Sequence, residues 1–170
     1  MIQKLAKNFA EKKHEGQLRK FSKKPYIEHP IKVSEIIKEN KKSHKINELL
    51  AAAFLHDTLE NTNTNEEELK KNFGKLITFL VKELTSEKEI QNKIGKKEYL
   101  AKKMKKLSSW ALVIKLADRL DNVSDLNNCS EKFRKKYSEE TKFILAELNK
   151  KRKLSKTHKK LIEKIEEKIE

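Results

Sequence analysis

Apolar residues recur at intervals of three and four along most of the chain, the spacing that puts them on one face of a helix. Ile2, Leu5, Ala6, Phe9 and Ala10 form the first such face and predict a helix over 2–14. Gly16, Ser22 and Pro25 break the pattern and predict a loop over 15–25. Pro30 suits the first turn of a second helix, which Ile31, Val33, Ile36 and Ile37 carry to about Asn40. A third helix is expected over 46–60. Its centre, Leu49 through Leu55, is apolar nearly all round, which marks a helix buried on every side. Asn63 to Asn65 reads as a loop, with Thr64 and Glu67 spaced as a capping pair. Further helices are expected over 65–72, 74–84, 98–106, 109–127 and 131–150, with a polar, partly irregular stretch at 85–97. Leu161, Ile162, Ile165 and Ile169 repeat at helical spacing near the end of the chain.

Composition narrows the class. Three Gly and two Pro in 170 residues cannot supply the turns that a sheet-rich fold needs about every eight to twelve positions, so an all-α protein is expected. The 36% of hydrophobic residues is enough for one modest core. No run of about 18 apolar residues exists to span a membrane, and Met1 to Ala10 is too polar for a signal peptide. A lone Cys129 excludes a disulfide framework and a multi-thiolate zinc site. It fits a reducing compartment, so a cytoplasmic location is expected. The net charge of +15 comes from 37 Lys and four Arg against 22 Glu and four Asp. Such a surface attracts anions, and it is equally what lysine-biased composition produces. Four Arg is a thin supply for bidentate base contacts. That argues against nucleic acid as a partner, even for the cluster Lys150, Lys151, Arg152 and Lys153, which a solvated helix end explains as well.

The chemistry concentrates where apolar runs stop. Leu49 to Leu55 runs straight into His56 and Asp57, and Trp110 to Ala117, apolar but for Lys115, runs into Asp118. A carboxylate at the edge of a buried helix is costly unless paired or bound to a metal. His56, Asp57 and Asp118 could share one divalent cation such as Mn²⁺, Fe²⁺ or Zn²⁺, with His29 the natural further ligand. Read without a metal, His56 caps a helix and Asp118 pairs with Arg119 or a distant lysine; the pattern alone leaves both open. Glu60 follows His56 by four residues, as Asn61 follows Asp57 and Asn122 follows Asp118, so each pair stacks one turn apart. His14 reads as a packed or capping residue of the first helix. His44 and His158 lie in lysine-rich stretches and look incidental.

In order along the chain, His29, His56-Asp57 and Asp118 resemble the metal signature of the HD-domain phosphohydrolases. Four segments sharpen this: His14 to Ser22, Pro25 to Pro30, Ala53 to Glu60 and Lys115 to Asn122. They are similar to the hydrolase domain of the RelA/SpoT alarmone enzymes and, by size, to the stand-alone small alarmone hydrolases, Mesh1-like proteins included. The resemblance implies a helical bundle forming a metal-dependent phosphohydrolase domain over 1–150, with a basic helical appendage over 151–170. It implies a small-molecule nucleotide substrate, (p)ppGpp, losing pyrophosphate from its 3′ position, with Mn²⁺ the usual cofactor and another divalent metal possible. By position it implies His29, His56, Asp57 and Asp118 as metal ligands, with Glu60 and Asn61 handling or orienting the attacking water. Arg19 would stack on guanine beside Lys20 and Ser22. Asn122 would meet the sugar or fix the water, and Tyr137 is a further substrate contact. Two positions depart from the family pattern: Asn61 stands where an Asp is usual, and Lys23 where many relatives have Gly. Asn cannot act as a carboxylate base. Two alternatives follow: a different phosphorylated nucleotide such as NADPH, or a nucleotide-binding sensor with weakened catalysis.

Overall fold

The structure, a computed structural model, describes residues 1–170. It is all-α, with ten α-helices, one 3-10 turn and no strand. The chain divides into two compact units, Met1–Thr85 and Ser86–Glu170. No helix is long and apolar enough to cross a membrane.

The first unit holds α1 (Ile2–Lys13), α2 (Glu28–Asn40), α3 (Ile46–Leu55), α4 (Thr58–Asn61) and α5 (Glu66–Leu84). Helix α3 is its axis: α1, α2 and α5 all pack on it. Every residue from Leu49 to Leu55 is buried, as the unbroken apolar run requires. The helix ends at Leu55, short of the expected 60, because side chains take over its last carbonyls. His56 Nδ1–H donates to Ala53 O at 2.7 Å and Thr58 Oγ1–H to Leu55 O at 2.7 Å. Bonds of this kind compete with the helical ladder, and α4 restarts as a separate turn. The cap of α5 also differs from expectation. Asn65, not Thr64, accepts from a helix amide, Glu68 N–H at 2.9 Å, while Thr64 pairs with Thr62. The expected pair of helices is present within α5: they meet at a break at Gly74, whose φ of 77° and ψ of 175° is a non-helical conformation open to glycine and scarcely to other residues.

The loop between α1 and α2 is a narrow hairpin. Arg19 N–H donates to Lys24 O at 2.8 Å, Tyr26 N–H to Gln17 O at 2.9 Å, and Leu18 faces Pro25 in an isolated bridge. At its tip Lys23 has φ +58°, left-handed backbone that disfavours a side chain. The glycine of many relatives would take that conformation freely. Lys23→Gly is therefore expected to raise stability by about 0.5–1 kcal/mol, seen as a thermal midpoint higher by roughly 1–4 °C. A midpoint that stays put or falls would mean that the lysine side chain repays its strain.

The second unit holds α6 (Lys88–Ile94), α7 (Lys96–Lys106), α8 (Ser109–Ser124), the 3-10 turn (Leu126–Asn128), α9 (Glu131–Lys151) and α10 (Lys156–Ile169). Helix α6 lies where an irregular stretch is expected; its only apolar residues, Ile90 and Ile94, are exposed, and none of its residues is buried. Helix α7 packs on α9, and α10 packs on α8. The spaced apolar residues Leu161, Ile162, Ile165 and Ile169 are all buried. His158 is not incidental: it is 2% exposed. Its Nδ1 accepts from Ser155 N–H at 3.2 Å and its Nε2–H donates to Ser109 O at 2.9 Å, so it closes a capping box and ties α10 to the start of α8. The basic cluster before α10 is partly used internally. Arg152 donates to Met104 O and Lys105 O, both at 3.0 Å, capping the end of α7, and Lys150 lies 3.5 Å from Glu147.

Candidate metal centre and nucleotide site

The break after α3 and the entry to α2 bring three of the expected ligands together. His29 and His56 are buried, with ring centroids 5.1 Å apart. Asp57 Oδ2 lies 3.2 Å from His56 Nε2 and 3.8 Å from His29 Nε2. The Ala53 carbonyl can only accept, so Nδ1 of His56 carries a proton, and in the neutral ring Nε2 offers a lone pair. That nitrogen is buried and makes no hydrogen bond; its closeness to Asp57 lacks hydrogen-bond geometry. A bare nitrogen facing a carboxylate oxygen calls for a cation between them. Donors bonded to one ion at about 2.1 Å stand about 3.0–3.4 Å apart, close to the separations seen. Two imidazoles and a carboxylate suit a divalent metal, and the backbone hydrogen bond on His56 Nδ1 is the usual way such a ligand is oriented.

Behind these residues stands a layer to which the sequence assigns no part in the site. Tyr26 O–H donates to Asp57 Oδ2. Its ring lies 4.7 Å from that of His14, at 35°, and 5.9 Å from that of His29, at 68°. His14 caps α1 as expected, and is buried. Burial holds its pKa below the ordinary 6.5, against the opposing pull of Gln17 and Asp57. Gln17 Nε2 donates to Asn61 O at 3.0 Å, which turns its Oε1 toward His14 Nδ1–H at 2.8 Å. All three residues lie inside the quoted motifs, but no periodicity marks them.

Glu60 is half-buried on α4 and Asn61 is exposed beside it. Asn61 N–H donates to Asp57 O at 2.9 Å, so one helical turn links that pair although α3 and α4 are separate. The hairpin carries Arg19, Lys20 and Ser22 together; Lys20 Nζ sits 5.4 Å over the Phe21 ring, and Ser22 Oγ is buried without a hydrogen bond.

Asp118, Asn122 and Tyr137 belong to the second unit. Asp118 is buried on α8; its Oδ1 accepts from Asn122 Nδ2 at 2.6 Å and its Oδ2 lies 2.7 Å from Lys115 Nζ. The Asp118–Asn122 pair is thus one turn apart and joined, as its spacing requires. Arg119 is not the partner of Asp118. It reaches α9, with Nη1 3.2 Å from Glu140 Oε1 and 3.0 Å from Thr141 Oγ1, and its guanidinium lies 4.8 Å over the Tyr137 ring. Burial raises the Tyr137 pKa, and Arg119 offsets part of that rise. Tyr137 also lines a cavity of about 490 Å³ with Lys96, Lys97, Phe133 and Lys136 and with the carboxylates Glu139 and Glu140.

A family model described as HD domain matches residues 6–154. The chain belongs to the HD domain family. Among HD domain relatives, the guanosine-3′,5′-bis(diphosphate) 3′-pyrophosphohydrolase MESH1 of Xenopus tropicalis is 39% identical over 130 residues, 74% of this chain and 69% of that protein. The human MESH1 is 39% identical over 126 residues, again 74% of this chain and 69% of the relative. The guanosine-3′,5′-bis(diphosphate) 3′-pyrophosphohydrolase of Aquifex aeolicus is 39% identical over 152 residues, which are 84% of this chain and 20% of that longer protein. A solved structure of a metazoan ortholog of SpoT, described as hydrolysing ppGpp, superimposes with a TM-score of 0.83 at 30% identity, covering 98% of this chain and 93% of that one.

Proposed function

We propose that this HD domain protein is a divalent-metal-dependent hydrolase that removes pyrophosphate from the 3′ position of (p)ppGpp in the cytoplasm. The observation that carries the reading is the bare, buried Nε2 of His56 beside Asp57 and His29. The names of the MESH1 and Aquifex relatives supply the substrate. In this reading His29, His56, Asp57 and Asp118 hold the metal, Mn²⁺ being the ion that the resemblance implies. Bound there, it supplies a water of lowered pKa and offsets charge on phosphoryl oxygens.

The remaining roles belong to the chain itself. Glu60 moves the proton of the attacking water or of the leaving group; Asn61, with no acidic proton and no carboxylate, orients by hydrogen bonding alone. Asn122 and Lys115 fix the two oxygens of Asp118. Arg19 offers a planar guanidinium to stack on guanine, with Lys20 and Ser22 on the same hairpin. Tyr137, braced by Arg119, meets the nucleotide. The catalytic domain is assigned to residues 1–150, and 151–170 to an accessory role.

The test is direct. Purified protein with Mn²⁺ and ppGpp is expected to yield GDP and pyrophosphate in equal amounts. Metal bound and nucleotide bound with no turnover would overturn the reading in favour of a sensor. Turnover of NADPH with ppGpp left intact would overturn the substrate assignment alone.

A further inference from the structure

We propose that Tyr26 is a positioning residue for the metal site, its phenol O–H setting the direction in which Asp57 presents Oδ2. The inference rests on the proposed metal site but not on the nucleotide it acts upon. The oxygen that accepts from Tyr26 is the same one that stands 3.2 Å from His56 Nε2 and 3.8 Å from His29 Nε2. A carboxylate oxygen has two lone pairs. One oxygen can therefore accept from the phenol and also face a cation held by the imidazoles. Hydrogen-bond donors behind a ligand fix its orientation, and their loss weakens metal binding even though they never touch the ion.

Tyr26 is itself held from several sides. Its N–H is bonded to Gln17 O at 2.9 Å and its C=O accepts from His29 N–H at 3.0 Å. Its ring is lodged between those of His14 and His29. His14 is pinned by Gln17, and Gln17 by the backbone of Asn61. A path of contacts therefore runs from Asn61 through Gln17, His14 and Tyr26 to Asp57, closing around the break between α3 and α4. Asp57 lies in that break, at a half-exposed position where regular helix does not hold it. The phenol supplies the direction that helix geometry would otherwise impose.

Tyr26→Phe removes the donor and keeps the ring. Titration of the metal-free full chain with Mn²⁺ alone is expected to show affinity weakened by about 10–100-fold, with the metal-free thermal midpoint unchanged and the turnover number restored at high Mn²⁺. Equal Mn²⁺ affinity in the wild type and Tyr26→Phe would overturn the proposal. A second comparison does not depend on how well the single variant folds. In an Asp57→Ala background, which leaves the phenol no oxygen to direct, and with Mn²⁺ carried to millimolar so that weakened binding is still read, Tyr26→Phe is expected to cause no further loss of affinity; an equal further loss would show that the phenol does not act through Asp57 and would also overturn it. If the wild type binds Mn²⁺ and Tyr26→Phe weakens it while ppGpp is left intact, the positioning role stands and the substrate reading falls. A wild type that binds no divalent metal removes both.

Discussion

His56→Ala is expected to abolish measurable Mn²⁺ binding and to lower ppGpp turnover by at least about 10³-fold. Losing a residue behind the ligands already costs about 10–100-fold, and losing a ligand removes the bond itself along with the metal's share of the chemistry. The effect on folding has a different sign of argument. In the metal-free chain His56 gains one hydrogen bond, to Ala53 O, and leaves Nε2 buried without one. A buried polar atom with no partner costs about 1–3 kcal/mol, comparable to what the bond returns. Alanine relieves that cost, loses the bond and leaves a cavity the size of an imidazole. The metal-free midpoint is therefore expected to fall only modestly, while the stabilisation that Mn²⁺ confers on the wild type disappears entirely. Calorimetric titration and melting with and without Mn²⁺ read the two separately. Retained metal binding in His56→Ala would remove His56 from the ligand set.

The proposed metal residues are the most legible part of the chain, for a reason that lies in the pattern. An apolar run that stops at His56 and Asp57 has no packing purpose for those groups, and the structure places them where α3 ends. The residues behind them left no such mark. Tyr26 and Gln17 lie in a hairpin without helical period, and their partners Asp57 and Asn61 are 31 and 44 positions away. Only the fold brings such pairs together. The same limit explains Arg119. Next to Asp118 in sequence, it is the obvious short-range partner, yet neighbours on a helix do not face each other, and its guanidinium reaches Glu140 instead. Helix α6 offers periodicity only Ile90 and Ile94, one turn apart, and nothing in it is buried. His158 shows the converse limit: lysines surround it in sequence, while its own position falls on the face of α10 turned toward α8.

Arg119→Ala is expected to destabilise the protein by about 3 kcal/mol, a drop of roughly 6–12 °C in thermal midpoint, although the residue contacts no proposed ligand atom. Its side chain is only 4% exposed and joins α8 to α9 through Glu140, Thr141 and the Tyr137 ring. Breaking a buried pair by removing one partner leaves the other charge without compensation, which is why the loss exceeds what the pair itself contributes. Lys96 lies 3.9 Å from the same Glu140 oxygen, too far and too exposed to replace the guanidinium. The double replacement Arg119→Met with Glu140→Leu removes both charges and keeps the volume, and is expected to recover most of the lost stability. Its effect on activity then isolates the second task of Arg119. With the fold restored but no cation over the Tyr137 ring, KM for the nucleotide is expected to rise several-fold while metal affinity holds. A double variant as unstable as Arg119→Ala would show that packing, not charge pairing, is what Arg119 supplies. A restored fold with unchanged KM would show that Tyr137 keeps its place without Arg119.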